Sequence, residues 1–494
     1  MNTIIRTTRR AFPLLALAAL PEAVGAQLIS LKTVPVATGD QFLVFPSQNL
    51  GMGSVSIALE DPLLDPFVNP ARGGRISGSP AFGSPTVYTI SDENGSGRTL
   101  PAGALFGSGE WFGGALLAFQ QIVEGNPLER SVPDIGFTPS QRLSDRSSYN
   151  RYGFAMLGRK LGGASLAASV FGADLSVVDG VEILYPRAES LHQDGSMLDY
   201  RLGVAGGSPE GRSYEALLLH NRFRMQHDVG YVDWIWDPVA RVSTRRHRTE
   251  VNRDRTNTWG VHLGTSQPLG ATGWRIGGIV TGNWKEHPKI PNYELVNIPR
   301  DPGNSWAYNF GVGLSRTEGP ATLGIDLVYE PAWSDTWAEA DTAVRTASGQ
   351  VIPPGGKTIE NDFRFSNVML RTGIGREGER WSFQAGLQVR GVHYWLEQHD
   401  NLRGTRREQE EDWMEWSPTW GLGVKFPEFQ VRYVGKLTTG TGRPGVEWAG
   451  PTAADAFRAS DIVVAPGGAL TLQESNVFTH QVSVSVPLGR SRGW

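Results

Sequence analysis

Apolar and polar residues alternate one by one along much of the chain, most regularly near its C-terminal end. From residue 414 to residue 426 every second residue is apolar, and those between are mostly small or polar. After a tight turn at 427–428 the alternation resumes from 429 to 437. A period of two places the apolar side chains on one face of a β-strand. The pattern therefore predicts two antiparallel strands, each with one apolar face.

These predicted strands are long. The same alternation marks 381–390, the pair 306–314 and 321–329, and the last strand at 478–488, several with Trp or Tyr near their ends. Strands of soluble sandwiches usually have about 5–6 residues. A strand that crosses a bilayer needs about 9–11 residues and has aromatic residues at the membrane interfaces. The fold class predicted is all-β, a transmembrane antiparallel β-barrel.

Short turns and long polar segments alternate from residue 76 onward. The short turns fall at about 107–110, 160–163, 208–211, 267–272, 317–320, 375–380 and 427–428. The long segments fall at about 123–148, 174–196, 226–256, 286–304, 334–360, 398–411 and 440–475. Because outer-membrane barrels have short periplasmic turns and long outer loops, this alternation predicts which end faces outward.

The number of strands depends on where the barrel begins. Counting from residue 76 gives about 16 strands, or about 14 if the glycine-rich stretches 76–90 and 98–107 belong to the preceding segment. The weaker candidates are 111–121, 149–160, 163–172 and 200–206, where small residues blur the two faces. Between Phe365 and Val368 the apolar phase slips by one residue, which we interpret as a β-bulge.

Composition agrees with a membrane barrel. The chain has 494 residues, a formal net charge of -4, 61 glycines, 16 tryptophans and no cysteine. Glycine suits turns and crowded lumen positions, and tryptophan suits membrane interfaces. The balanced charge gives no sign of nucleic-acid binding, and without cysteine no disulfide is available.

Residues 1–26 have the pattern of a secretory signal peptide. Three arginines precede an apolar run at 11–20, and small residues at 24–26 form a cleavage site, so we expect the mature chain to begin at Gln27. An apolar run of about ten residues is too short to cross about 30 Å of hydrocarbon as a helix. Export and a barrel together predict the outer membrane of a Gram-negative type cell.

Residues 27–74 differ from the rest of the chain. They contain Gly51-Met52-Gly53, then Glu60-Asp61-Pro62 and finally Asn69-Pro70-Ala71. Pro62 and Pro66 interrupt regular structure. We expect this part to form a compact N-terminal plug, with the barrel at 75–494.

The order of these motifs resembles the N-terminal signature of the FadL-type family of outer-membrane barrels, which transport long-chain fatty acids and hydrocarbons. The matching stretch, 51–71, covers about 20 residues. The resemblance implies a barrel of about 14 strands whose N-terminal segment is a hatch within the lumen. Arg72 stands where a glycine is usual in the family. The plug or gating residues implied by the resemblance are Gly51, Gly53, Asp61, Asn69, Pro70 and Ala71.

Charged residues occupy the faces opposite the apolar ones. The expected lumen-lining residues are Arg390, Arg432, Lys436, Asp326 and Glu330. Any barrel interior is polar, so these charges either pair with one another or with the plug, or line a route for ions or carboxylates. We favour the pairing, because both signs occur.

Catalytic, metal and cofactor motifs are not evident. The nine histidines are scattered, without an HExxH or Gly-x-Ser-x-Gly motif. His227-Asp228 and His399-Asp400 fall in predicted outer loops, but adjacent residues rarely point at each other, so an outer-loop hydrolase is only a minor hypothesis. Residues 91–95 have oxygen ligands but lack the full calcium-loop pattern, and predict a turn. The arginine-rich stretch 245–255 is either a solvated loop, which we favour, or a site for anionic lipopolysaccharide or carboxylates.

The sequence thus predicts a non-enzymatic channel for passive uptake of hydrophobic or amphipathic small molecules such as fatty acids. Its expected partners are the lipid bilayer and the solute, without nucleic acid or cofactor. One alternative is an accessory or structural barrel that binds partner proteins through its long outer loops. Another is a general diffusion porin.

Overall fold

Long antiparallel strands make up most of the structure. The computed structural model describes residues 28–29, 31–76, 78–125, 147–184, 188–237, 239, 241–287, 303–340, 342–444 and 472–488. The predicted signal peptide, and much of the predicted outer segments 123–148, 286–304 and 440–475, lie outside these ranges. Within them, no helix is long and apolar enough to cross a membrane.

The described elements are short helices near the N-terminus followed by strands. The helices are α1 (Asp65–Val68) and the 3-10 helices Leu50–Met52, Pro70–Arg75 and Val181–Leu184. The strands are β1 (Pro80–Gly83), β2 (Thr86–Ile90), β3 (Gly95–Ser108), β4 (Trp111–Glu124), β5 (Ser147–Leu161), β6 (Ala164–Leu175), β7 (Ser190–Gly207), β8 (Ser213–Asp237), β9 (Val242–Pro268), β10 (Trp274–His287), β11 (Gly303–Glu318), β12 (Ala321–Glu339), β13 (Val344–Arg345), β14 (Val351–Ile352), β15 (Lys357–Glu377), β16 (Trp381–Asp400), β17 (Thr405–Lys425), β18 (Gln430–Thr438), β19 (Gly442–Pro444), β20 (Leu472–Glu474) and β21 (Val477–Pro487).

Within the described residues, 17 strands form one closed antiparallel sheet. From β3 onward each strand of this sheet pairs with the next strand of the sheet along the chain. The two ends meet because β1 and β2 both pair with β3 and with β21. Since β1 and β2 share one position, interrupted at Ser84 and Pro85, the 17 strands make 16 staves. The predicted barrel is confirmed, at the upper end of the expected strand number. The remaining strands pair as β13 with β14 and β19 with β20, outside the barrel sheet.

The outer face of the barrel is apolar. Leu117 is 64% exposed, and Val312 is 58% exposed next to its cross-strand partner Leu327. Such exposure of large apolar side chains around a closed sheet is typical of a surface that faces acyl chains. Tryptophans 259, 284, 306 and 333 are cross-strand partners on β9 to β12. They are placed as an aromatic girdle at one edge of the apolar band.

The predicted short turns are confirmed. The connections at 109–110, 162–163, 208–212, 269–273, 319–320, 378–380 and 426–429 all lie at one end of the barrel. The start of β1 and the end of β21 lie at this end too, because Pro80 pairs with Pro487. The long connections therefore lie at the opposite end, which we assign to the cell exterior.

The weaker predicted strands are also confirmed, as parts of β4 to β7. Residues 91–93 form the expected turn between β2 and β3.

Two predicted outer loops are largely wrong. The stretch predicted as loop at 226–256 belongs mostly to β8 and β9, which pair up to Asp237 and Val242. The stretch at 398–411 belongs mostly to β16 and β17. Their polar sequences suggested loops, but a hairpin that extends beyond the bilayer can carry charged side chains because water surrounds it. Residues 401–404 form the tip of the second hairpin.

The predicted β-bulge between Phe365 and Val368 is also wrong. Both residues keep one register with β16, Phe365 opposite Tyr394 and Val368 opposite Gly391. The slip of the apolar phase arises because Phe365 points inward and packs with Leu31, whereas Val368 points outward. The strand therefore has no extra residue. Its apolar side chains pack inside the barrel at Phe365 and face outward at Val368.

We predict that Val312→Arg lowers the free energy of unfolding by about 2–4 kcal/mol, because Val312 lies well between Trp306 and Arg316 on the lipid-facing side of β11. Urea unfolding in phospholipid vesicles measures the change. The control is Val351→Arg in β14, since Val351 is 57% exposed but lies in the outer connection. Equal destabilisation by both substitutions would contradict the assigned membrane band.

Candidate functional site

The described part of the N-terminal segment, residues 28–29 and 31–76, lies inside the ring of strands. The amide of Ser56 donates to Asp326 on β12 at 2.7 Å, and the amide of Gly53 donates to the Thr419 hydroxyl on β17 at 2.9 Å. Asn69 donates to Glu215 on β8 at 2.8 Å. Because these strands belong to different sides of a closed sheet, a segment that reaches all three crosses the lumen.

Two levels of the lumen are occupied. Near the outer end, Ile29 donates its amide to Asn283 on β10 at 2.7 Å, and Lys32 pairs with Glu415 on β17 at 3.0 Å. Residues 50–75 lie near the short-turn end, since Arg75 binds the carbonyl of Gly206 close to the end of β7. The segment thus runs from the end with the long connections and spreads across the short-turn end.

Glycines on the inner face of the wall let the N-terminal segment approach closely. A Cβ atom added at Gly373 or Gly386 would meet the backbone of Met52, and one added at Gly277 would meet the Ile57 carbonyl. All three contacts would be well inside 3.0 Å, a separation that real Cβ atoms essentially never show. At these three contacts the barrel wall therefore presents backbone atoms without side chains to the segment.

Gly51 and Gly53 belong to the turn that touches this part of the wall. Gly53 has φ of 69°, a left-handed conformation that favours glycine, and it ends the 3-10 helix Leu50–Met52. A Cβ atom at Gly51 would lie 2.7 Å from the Gln384 side-chain oxygen and 3.0 Å from Gly421. Both predicted gating glycines thus lie at tight contacts with β16 and β17.

Asp61 ties two parts of the N-terminal segment together. It is 1% exposed. Its carboxylate accepts hydrogen bonds from the Ser47 hydroxyl at 2.6 Å, and from the backbone amides of residues 48, 49, 63 and 64 at 2.8–3.1 Å. A buried carboxylate with this many donors is well compensated. Its role in the described structure is to shape the segment.

Asn69, Pro70 and Ala71 begin the second 3-10 helix. The Asn69 side-chain oxygen accepts from the Ala71 amide at 3.1 Å, which caps this helix. The fixed φ of Pro70 suits the first helical position. Ala71 is fully buried against Phe112 on β4 and Ala167 on β6. The predicted motif thus fixes the segment to the wall.

Arg72 connects this helix to β8. Its guanidinium donates to both carboxylate oxygens of Glu215, at 2.8 and 2.5 Å, and pairs with Asp65 at 2.8 Å. The departure from the usual glycine therefore adds a bidentate ion pair between the segment and the wall. Burial raises the pKa of the Asp65 carboxyl to about 7, although Arg72 opposes the shift. The Asp65 to Arg72 pair thus weakens as the pH falls through 7.

The five predicted lumen-lining residues point inward and are ion-paired or hydrogen-bonded. Arg390 pairs with Glu330 at 3.2 Å, within the wall. Two of the others contact the N-terminal segment, since Lys436 pairs with Asp40 at 2.9 Å and Asp326 accepts from the backbone at Ser56 and Ile57. Arg432 pairs with Glu377 at 2.6 Å near the short-turn end. Their pairing agrees with the favoured alternative, and a role in lining a solute route stays a prediction.

A cavity of about 160 Å³ lies between the N-terminal segment and the wall. On its apolar side Ile57 packs with Val328 and Met369. Arg371 on β15 also lines it, and its Nε has no hydrogen-bond partner in the part of the chain that the structure describes. Sequence reasoning missed Arg371, although Leu370 and Ile374 point outward and thus place residue 371 on the inner face.

The two His-Asp pairs do not form dyads. His227 points inward and is buried, whereas Asp228 lies on the opposite face of β8. His399 contacts Glu397, two residues away on the same face, at 3.0 Å. Among the described residues, no group of three or more His, Asp or Glu side chains is placed to hold a metal ion.

No protein-family model and no curated protein matches the chain. Solved structures do match. A FadL homologue from Pseudomonas aeruginosa is 11% identical, with 92% of this chain and 100% of that chain covered and a TM-score of 0.45. The toluene transporter TodX from Pseudomonas putida is 10% identical, with 89% and 97% covered and a TM-score of 0.40. CdiB from Acinetobacter baumannii is 9% identical, with 83% of this chain and 60% of that chain covered and a TM-score of 0.39.

We predict that Gly386→Ala displaces the N-terminal segment, because the new methyl group would overlap the backbone of Met52 and Gly53. The expected result is faster protease cleavage within residues 28–76 of the folded protein, and a higher single-channel conductance. Gly391→Ala on the same strand is the control, since its nearest neighbour would lie 3.9 Å away. Wild-type behaviour of both variants would show that close contact at this turn does not hold the segment.

Proposed function

We propose that the protein is a passive outer-membrane channel for amphipathic small molecules that combine an apolar tail with an anionic head group, as fatty acids do. The observation that carries this proposal is the lumenal cavity in which Arg371 lies beside an apolar cluster. The N-terminal segment is proposed to act as the hatch.

Arg371 offers a binding group for the anionic head. Its neighbours across the sheet are Asp326 on β12 and Gln388 on β16. Asp326 already accepts two backbone hydrogen bonds through one oxygen, and it forms no ion pair at 4 Å or less with Arg371 in the described chain. A guanidinium with an unused donor binds a carboxylate through parallel hydrogen bonds. This geometry supports a carboxylate as the head group.

The apolar side of the same cavity suits a hydrocarbon tail. Ile57, Val328 and Met369 pack together, with Ile279 against them, and the cavity also borders Phe45 and Val55. Such side chains offer dispersion contacts to a short alkyl or aromatic group.

The cavity also extends along the barrel. Its lining includes Ile29 in the outer half, and Arg75 and Ser266 at the short-turn end. The N-terminal segment forms one side of this path along its whole length. A small displacement of the hatch would release a bound molecule towards the periplasm, and diffusion down a concentration gradient needs no other energy source.

We predict that Arg371→Gln weakens binding of a medium-chain fatty acid by about tenfold, because a charge-assisted hydrogen bond is worth about 1.5–3 kcal/mol. The corresponding alcohol should bind the variant and the wild type equally. Tryptophan fluorescence of the mature protein in detergent measures both affinities. The control is Arg376→Gln, which removes the same charge from an exposed position on β15. Equal loss for acid and alcohol would argue against a carboxylate site.

The hatch is tested by deleting residues 28–74. We expect low conductance for the mature chain in planar bilayers and a higher conductance after the deletion, because the segment fills the lumen. Heat-modifiable gel migration is the check that the shortened barrel folds. Equal conductance would rule out the hatch.

Swelling of liposomes in small sugars with the segment intact would favour a porin. Co-purification of a large partner with unchanged solute uptake would favour an accessory barrel.

A further inference from the structure

Four arginines lie together on the outward face of the β8–β9 hairpin. Arg224 and Arg255 are direct cross-strand partners. Arg222 lies two residues away on β8, and Arg253 two residues away on β9, both on the same face. Like charges placed opposite each other destabilise a strand pair unless an anion lies between them. We call these four residues the arginine cluster.

Little in the barrel compensates this charge. Arg222, Arg224 and Arg255 form no ion pair or hydrogen bond within the described ranges, and Arg253 donates only to the Gln226 amide oxygen, at 3.1 Å. Several outward arginines elsewhere do have carboxylate partners. They include Arg151 with Asp174 at 3.3 Å, and Arg406 with Glu397 at 2.5 Å. The outward carboxylates nearest the cluster, Asp194, Asp228 and Glu286, form no ion pair with it in the described residues.

The residues below the arginine cluster show at which level of the membrane it lies. Below it, His220 stacks on Trp259 with ring centroids 4.0 Å apart, and on Tyr200 at 6.5 Å. Lower still, Leu218, Val261 and Leu263 are exposed to the lipid side. Aromatic residues of this kind mark the boundary between acyl chains and head groups. The cluster therefore begins at the level of the lipid head groups.

The distance along β8 agrees with this level. Arg212 is exposed just before the strand begins at the short-turn end, and Arg222 follows ten residues later. Ten strand residues rise about 33 Å, or about 25 Å along the membrane normal at a tilt of about 40°. That is about the height of the apolar band of a barrel. Arg222 is thus at the upper edge of the band, and the other three lie just above it.

We propose that the arginine cluster binds the phosphate groups of lipid A, the membrane anchor of lipopolysaccharide, in the outer leaflet. Guanidinium groups bind phosphate oxygens through paired hydrogen bonds. Acyl chains of the same lipid would lie against Trp259, Val261 and Leu263. This site lies on the outside of the barrel and does not depend on the proposed transport function.

The test compares Arg224→Gln/Arg255→Gln with the wild type. Binding of diphosphorylated lipid A to the full mature protein in detergent, followed by native mass spectrometry, should weaken about tenfold or more. The control is Arg245→Gln/Arg246→Gln, which removes the same charge nearer the hairpin tip and should leave binding unchanged. Heat-modifiable migration confirms folding, and Arg255→Gln alone serves if the double variant does not fold.

Three further ligands decide between sources of the anion. We expect dephosphorylated lipid A to bind wild type and variant equally weakly, and inorganic phosphate not to compete at millimolar concentration. Equally tight binding of dephosphorylated lipid A or of phosphatidylglycerol would overturn the proposal. So would competition by inorganic phosphate, or equal weakening in the control variant.

Discussion

Backbone amides and carbonyls in a bilayer have no water to bind, and this constraint decides the architecture. Each unsatisfied group would cost several kcal/mol, so a sheet that crosses the membrane must close on itself. Closure here depends on β1 and β2, which fill the place between β3 and β21. Once the backbone groups are hydrogen-bonded, the side chains differ by face. They are apolar towards the lipid, and small or charged towards the lumen.

The lumen of a 16-stave barrel is too wide for its own wall to fill. The N-terminal segment occupies it, and two kinds of contact hold it. Wall glycines such as Gly373 allow backbone against backbone, and ion pairs such as Arg72 with Glu215 fix the orientation. The first contact is insensitive to charge, whereas the second depends on pairing. The segment is thus held both by shape and by charge.

Sequence periodicity predicted the barrel and the inward direction of Arg390 and Lys436, because lipid imposes a strict period of two. Periodicity gave wrong predictions where the strand does not face lipid. The outer parts of β8 and β9 were predicted as loop, because both of their faces carry polar residues. A bulge was predicted at Phe365, because this apolar side chain packs inside the barrel. Arg371 was missed because a cavity is made by distant residues such as Ile57 that meet only in the folded chain.

The seam between the first and last staves has a consequence for assembly. Pro80 lies opposite Pro487, so the two ends of the translated barrel region become neighbours only after nearly every residue has been placed. Contacts between such distant residues form slowly. The N-terminal segment precedes the first stave and is enclosed when β1 and β2 pair with β21. Because the closed sheet has no open edge among the described strands, we expect the segment to be in place before the first and last staves pair.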